Sequence, residues 1–173
     1  MKAKFVNEGL DILRPKSDDE ILDEIDKLNP PDLLTKSARI GFIKGVKLAL
    51  EKGANVHVNN DAALRAASEY GHTEVVKILL DAGADVHAMD GYALRWASDQ
   101  GRIEVVKVLL DAGADVYTEN DFALRWASKN GHDEVVKVLL NAGADVHANN
   151  DDALRWASEG GHTDVVNLLK KYI

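Results

Sequence analysis

The fold class predicted from the sequence is an all-α solenoid, a stack of two-helix units with one extra helix at its N-terminal end. Three observations carry this. A 30-residue pattern runs in register without insertions through residues 61–90, 91–120 and 121–150, then restarts at 151 and stops at 173. A weaker copy occupies residues 31–60, where Leu34, Gly41, Val46, Lys47, Gly53, Ala54, Val56 and His57 fall where later copies carry the same residues. Each copy reads as two helices too short to be stable alone, so its apolar faces must be buried against its neighbours.

The elements follow in chain order. Residues 1–30 lie outside the repeat, and Pro15 breaks any helix running from Phe5 to Leu13. Ser17-Asp18-Asp19-Glu20 is a capping-box pattern, and Ile21, Leu22, Ile25 and Leu28 follow at helical spacing. A capping helix over about 17–28 is expected, stopped by Asn29-Pro30-Pro31. Within residues 121–150, Asp121 is a candidate N-cap for a helix from Phe122 to Asn130, ended by Gly131. Asp133 can cap the second helix, with Glu134 in its first turn. Val135, Val136, Val138, Leu139 and Leu140 make that helix strongly apolar, and Gly143 stops it. Ala144 to Asn150 are expected to form an extended connector with a turn. The outer copies look like caps. Thr35 and Lys36 replace the repeated Arg and Trp, and Lys170 replaces the Leu found at 80, 110 and 140.

Composition bounds the function. The 173 residues are 46% hydrophobic but only 6% aromatic, so the core must be mostly Ala, Val and Leu. The absence of cysteine excludes disulfides, thiolate metal sites and cysteine nucleophiles, and fits a cytoplasmic protein. The net charge of -8 and the lack of any basic run argue against nucleic acid and anionic membranes as partners. No apolar stretch is long enough to span a bilayer, and Met1 to Phe5 lead into no signal-peptide core.

Several constellations recur with the repeat. Trp96, Trp126 and Trp156 share one position, with Ala66 in the first full copy, and are expected to form an inter-unit ladder. Arg65, Arg125 and Arg155 follow Asp61, Asp121 and Asp151 by four residues, a helical ion-pair spacing. Arg95 follows Gly91 instead, which frees it for a partner. Ser68 with His72, Ser128 with His132 and Ser158 with His162 have a carboxylate two residues on, a superficial hydrolase pattern. Its recurrence at a fixed period marks scaffold, so no catalytic residue is expected. His57, His87 and His147 stand one unit apart, too far to share a metal, and no metal or cofactor is expected. The acidic segment Ser17 to Asp26 reads as a solvated face.

The stretch from Gly71 to Val86 reads GHTEVVKILLDAGADV, and Gly131 to Val146 reads GHDEVVKVLLNAGADV; Gly101 to Val116 matches in part. This pattern resembles the ankyrin repeat over residues 31–173. The family's usual unit is 33 residues and opens with T-P-L-H-x-A. Here Tyr92-Ala93-Leu94-Arg95-Trp96-Ala97 stands in that place, and the three missing residues fall in the hairpin connector, which the resemblance implies is shortened. It further implies a protein-binding scaffold without catalytic activity. ALRWAS-type arrays of this period are similar to those encoded by large DNA viruses, which would make the role capture or inhibition of a host protein.

Comparing copies within the chain locates the variable positions. Ala62, Tyr92, Phe122 and Asp152 share one; Met89, Glu119 and Asn149 another; the ends of the first helices carry Glu69-Tyr70, Asp99-Gln100, Lys129-Asn130 and Glu159-Gly160. The expected partner-binding residues are Tyr70, Met89, Tyr92, Arg95, Gln100, Tyr117, Phe122 and Asn130, on the turn and first-helix side. The leading function is a monomeric, non-enzymatic module that binds a folded protein. The alternatives are a self-associating structural scaffold and, less favoured because Lys77, Lys107 and Lys137 intersperse the carboxylates, an acidic nucleic-acid mimic.

Overall fold

A computed structural model describes residues 17–25 and 27–173. The reading of residues 5–15 and Asp26 of the acidic segment lie outside the described residues. Eleven helices follow among the described ones. They are α1 (Asp18–Ile25), α2 (Pro30–Arg39), α3 (Ile43–Glu51), α4 (Val58–Tyr70), α5 (Thr73–Asp81), α6 (Ala88–Asp99), α7 (Ile103–Asp111), α8 (Thr118–Lys129), α9 (Asp133–Asn141), α10 (Ala148–Glu159) and α11 (Thr163–Leu169).

The capping box of α1 forms as its sequence requires. The Ser17 N–H donates to Glu20 Oε2 at 2.8 Å, and the Glu20 N–H to Ser17 Oγ at 3.3 Å. Helix α1 ends at Ile25, short of the expected Leu28. Asn29-Pro30-Pro31 does more than stop it. Asn29 Oδ1 accepts the Asp32 N–H at 2.9 Å, and both prolines occupy the first turn of α2, where no backbone donor is needed. Ile21 and Leu28 rest half-buried on the array, and Asp18 pairs with Lys44 at 2.9 Å.

The array has two layers. The even-numbered helices from α2 to α10 form one, the odd-numbered helices from α3 to α11 the other. Each full unit buries the same set: Ala93, Leu94 and Ala97 from its first helix, Val105, Val106 and Leu109 from its second, and Ala114 and Val116 from the connector. A fully covered leucine such as Leu94 contributes roughly 1.5–3 kcal/mol of burial. Alanine at the contact positions lets successive first helices approach closely. Successive second helices touch more sparsely across Val and Leu, so the stack curves with the first helices on its inner side.

The connector differs from the extended segment expected over Ala144 to Asn150. No strand forms among the described residues. Instead Asn149-Asn150-Asp151 wind through a left-handed turn straight into the regular part of α10. The same occurs at Asn59-Asn60-Asp61, Met89-Asp90-Gly91 and Glu119-Asn120-Asp121, with φ from +51° to +67°. A connector three residues short has no length for paired strands, and one left-handed turn reverses the chain instead. Such a conformation costs roughly 1–2 kcal/mol per ordinary residue and least for Asn, Asp and Gly, which fill most of these places. Asp121 is therefore the last residue of that turn, not an N-cap. Asp133 is likewise the first residue of α9 rather than its cap; His132 holds the cap position without a side-chain bond.

Candidate partner-binding face

The inner face carries the half-buried positions of the first helices. The tryptophan ladder forms, but with extra rungs. Tyr92 meets Trp96 at 5.5 Å between ring centroids, Trp96 meets Phe122 at 6.4 Å, and Phe122 meets Trp126 at 5.2 Å. Phe122 thus inserts between two tryptophans one unit apart. Asp152 stands at its register in the next unit, and there Trp126 reaches Trp156 edge-on at 5.7 Å. Such pairs add about 0.5–1.5 kcal/mol each beyond burial.

The repeated arginines do not pair with Asp61, Asp121 and Asp151. The left-handed turn breaks the helical spacing and directs backbone carbonyls at the guanidinium. Arg65 donates from Nε to the Asn60 carbonyl and from Nη2 to that of Asn59, both at 2.9 Å. Arg125 makes the equivalent bonds at 2.8 Å to Asn120 and Glu119. Among the described residues Arg95 keeps only the bond to Met89, at 2.9 Å, and its buried Nε has no partner. The carboxylates serve another purpose. Asp61 and Asp121 are buried and accept the N–H of Asp85 and Asp145, each at 2.8 Å, tying one unit's turn to the next connector. Asp151 accepts from His147 instead.

Each guanidinium also lies over a ring of the following unit: Arg65 over Tyr92 at 5.0 Å, Arg95 over Phe122 at 5.3 Å and Arg125 over Trp156 at 5.6 Å. Lys129 sits 4.0 Å from the Trp126 centroid. Asp152 accepts from Asn149, Arg155 and Arg125, and these donors, Asn149 foremost, hold its carboxyl below the ordinary range. Burial pushes the Tyr92 hydroxyl up, reinforced by the charge of Glu69.

The recurring Ser and His residues do not meet. His72, His132 and His162 point Nε2 at the carbonyls of Arg39, Asp99 and Lys129, at 3.0, 2.9 and 2.8 Å. A carbonyl only accepts, so Nε2 carries the proton. Arg102 serves in the odd unit, donating to the Glu69 carbonyl at 3.2 Å. Ser68 and Ser128 have buried hydroxyls without a partner among the described residues, and Ser158 donates to the Leu154 carbonyl. In the connectors, His57 and His147 face Asp61 and Asp151 at 3.2 and 2.7 Å, and no cluster of three metal-ligating side chains exists among the described residues.

A family model described as ankyrin repeats, three copies long, matches residues 7–90, 34–120 and 94–173. The chain belongs to the ankyrin-repeat family. A search of curated proteins returns no match. Ankyrin repeats are generally protein–protein interaction modules, and the family is typically non-enzymatic. Among the described residues no helix is long and apolar enough to cross a membrane.

The ankyrin array separates the eight residues expected from the sequence. Tyr92, Arg95 and Phe122 are half-buried members of the inner row. Tyr70 and Met89 are exposed beside it; the Tyr70 hydroxyl accepts from Arg39 at 3.4 Å. Tyr117, 58% exposed, leans toward Gly143 at the end of α9, away from the row. Gln100 and Asn130 converge on Asp99. Gln100 Nε2 donates to Asp99 Oδ2 at 2.6 Å, while Asn130 Nδ2 donates to Oδ1 at 2.8 Å and to the carbonyl at 3.0 Å. Asp99, Lys129, Arg65 and Arg125 were not among the eight, whereas Arg95 was. A lone Asp flanked by amides in successive units was the available signal for the first.

Proposed function

We propose that this ankyrin array is a non-enzymatic module that binds a folded protein on its inner face. One observation carries the reading: a continuous row of five half-exposed rings, four of them (Tyr92, Phe122, Trp126 and Trp156) held under a cation, in a chain whose net charge is -8. Rigid aromatic and arginine side chains are the residue types that anchor interfaces, and their mutual packing lowers the entropy lost on binding. The array would act as a monomer in the cytoplasm. Its similarity to the 30-residue arrays of large DNA viruses extends the proposal to sequestration of a host protein.

Affinity capture from cell lysate tests this, comparing the chain with a Tyr70→Ala, Met89→Ser, Lys129→Glu variant. All three side chains are exposed, so circular dichroism should stay unchanged. A protein retained by the first and lost by the second is expected. Equal retention would move the site off the inner face.

A further inference from the structure

The aromatic row stops at Tyr92, and three small residues mark where it stops. Ala66 occupies the register of Trp96, Trp126 and Trp156; Ala62 occupies that of Tyr92 and Phe122. Thr35 occupies the register of Arg65 and Arg95, whose guanidiniums lie over the rings of the following unit. The first unit therefore lacks the cation, and the second lacks both rings. What remains is an open cavity of about 170 Å³ lined by Thr35, Ala62 and Ala66, with Tyr92 and Tyr70 among its walls and Arg39, Arg65 and Glu69 around it. An engineered apolar cavity of about 150 Å³ takes benzene, so this space suits one aromatic ring.

We infer that this cavity receives an aromatic side chain of the partner protein, next to a carboxylate in the partner's chain. The incoming ring would extend the row by one rung, against Tyr92. The rim supplies the rest. Arg39 and Arg65 are two cations against the single carboxylate of Glu69. Guanidiniums favour both the face of a ring and a neighbouring carboxylate. The inference rests on the inner-face reading and names what one part of that face recognises.

The test uses the full chain with ¹³C-labelled alanine methyls and N-acetyl-L-tryptophan as probe, followed by NMR. N-acetyl-L-leucine, with the same carboxylate and no ring, is the comparison. Saturable shifts of the Ala62 and Ala66 methyls are expected, with half-saturation in the millimolar range usual for so small a ligand and at least about fivefold weaker for the leucine probe. Ala66→Trp puts the array's own rung in the cavity and should abolish saturation at the Ala62 methyl. Should that variant lose its native dispersion, Ala62→Phe fills the same space with Ala66 as reporter. Absence of saturable shifts, equal response to both probes, or unchanged binding in the filled variants would overturn the inference. None of these bears on the inner-face reading, which fails or stands by the capture experiment.

Discussion

Replacing Asp121 tests how the units are coupled. Its carboxylate is 5% exposed and accepts the Asp145 N–H at 2.8 Å, from the turn before the regular part of α8 to the connector after α9. Asp121→Ala leaves that N–H unpaired, a cost of about 1–3 kcal/mol. It also puts alanine at φ +54°, which adds roughly 1 kcal/mol. The sum is about 2–4 kcal/mol. The charge itself works the other way. Burial raises the Asp121 carboxyl above its ordinary value, outweighing the Asp145 donor. A raised folded value means a contribution present at acid pH and lost as pH rises through it, so at neutral pH ionisation is a net cost. Asp121→Asn keeps an acceptor and tolerates the left-handed turn, so it should cost under about 1 kcal/mol. Asp151→Ala is the control: the same turn, an exposed carboxylate and no bond to a further connector among the described residues. Urea unfolding followed by circular dichroism should place Asp121→Ala at least about 1 kcal/mol below Asp151→Ala, with Asp121→Asn near the parent. Equal losses for the two alanine variants, or an Asn variant as weak as the Ala variant, would refute the coupling.

Other substitutions have equally definite outcomes. Ser98→Ala removes a buried hydroxyl without a partner and should raise the urea midpoint by up to about 1 kcal/mol equivalent, whereas Ser158→Ala, which breaks a bond to Leu154, should not. Gly131→Ala should cost about 2–3 kcal/mol, because a Cβ there lies 2.5 Å from His162 Nδ1 at φ +75°. Gly113→Ala, at φ +90° with open space, should cost only about 1 kcal/mol in the same assay. The lowered carboxyl of Asp152 contributes stability above the ordinary value of 3.8 that is lost as pH falls below it. Asp152→Asn should therefore flatten the acid limb of a stability–pH profile and leave its neutral-to-alkaline part level.

Much of this molecule is legible in its repeat. The period placed every helix pair, the capping box fixed where α1 begins, and Gly131 and Gly143 lie in the left-handed conformation expected of helix stops. The errors in the connector and in the arginine pairing share one physical origin. Reading Arg125 against Asp121 assumed a right-handed helix through both, and the left-handed turn removes that spacing. Its signal was present in Asn59-Asn60-Asp61 and Asn149-Asn150-Asp151, runs of the residues that tolerate positive φ. Periodicity put the tryptophans in one column. It could not show that Phe122, one helical turn earlier in its unit, would slip between Trp96 and Trp126. The cavity over Ala62 and Ala66 is not legible in the sequence, because three unremarkable residues in two units form it only once stacked.

Site-specific photo-cross-linking tests the inner-face assignment most directly. A benzophenone side chain introduced at Tyr70, beside the aromatic row, is compared in cell lysate with the same group at Lys107, exposed on the second-helix layer. A discrete protein adduct from position 70 and none from 107 is the expected result. Adducts from 107 alone, or the same adducts from both positions, would contradict it.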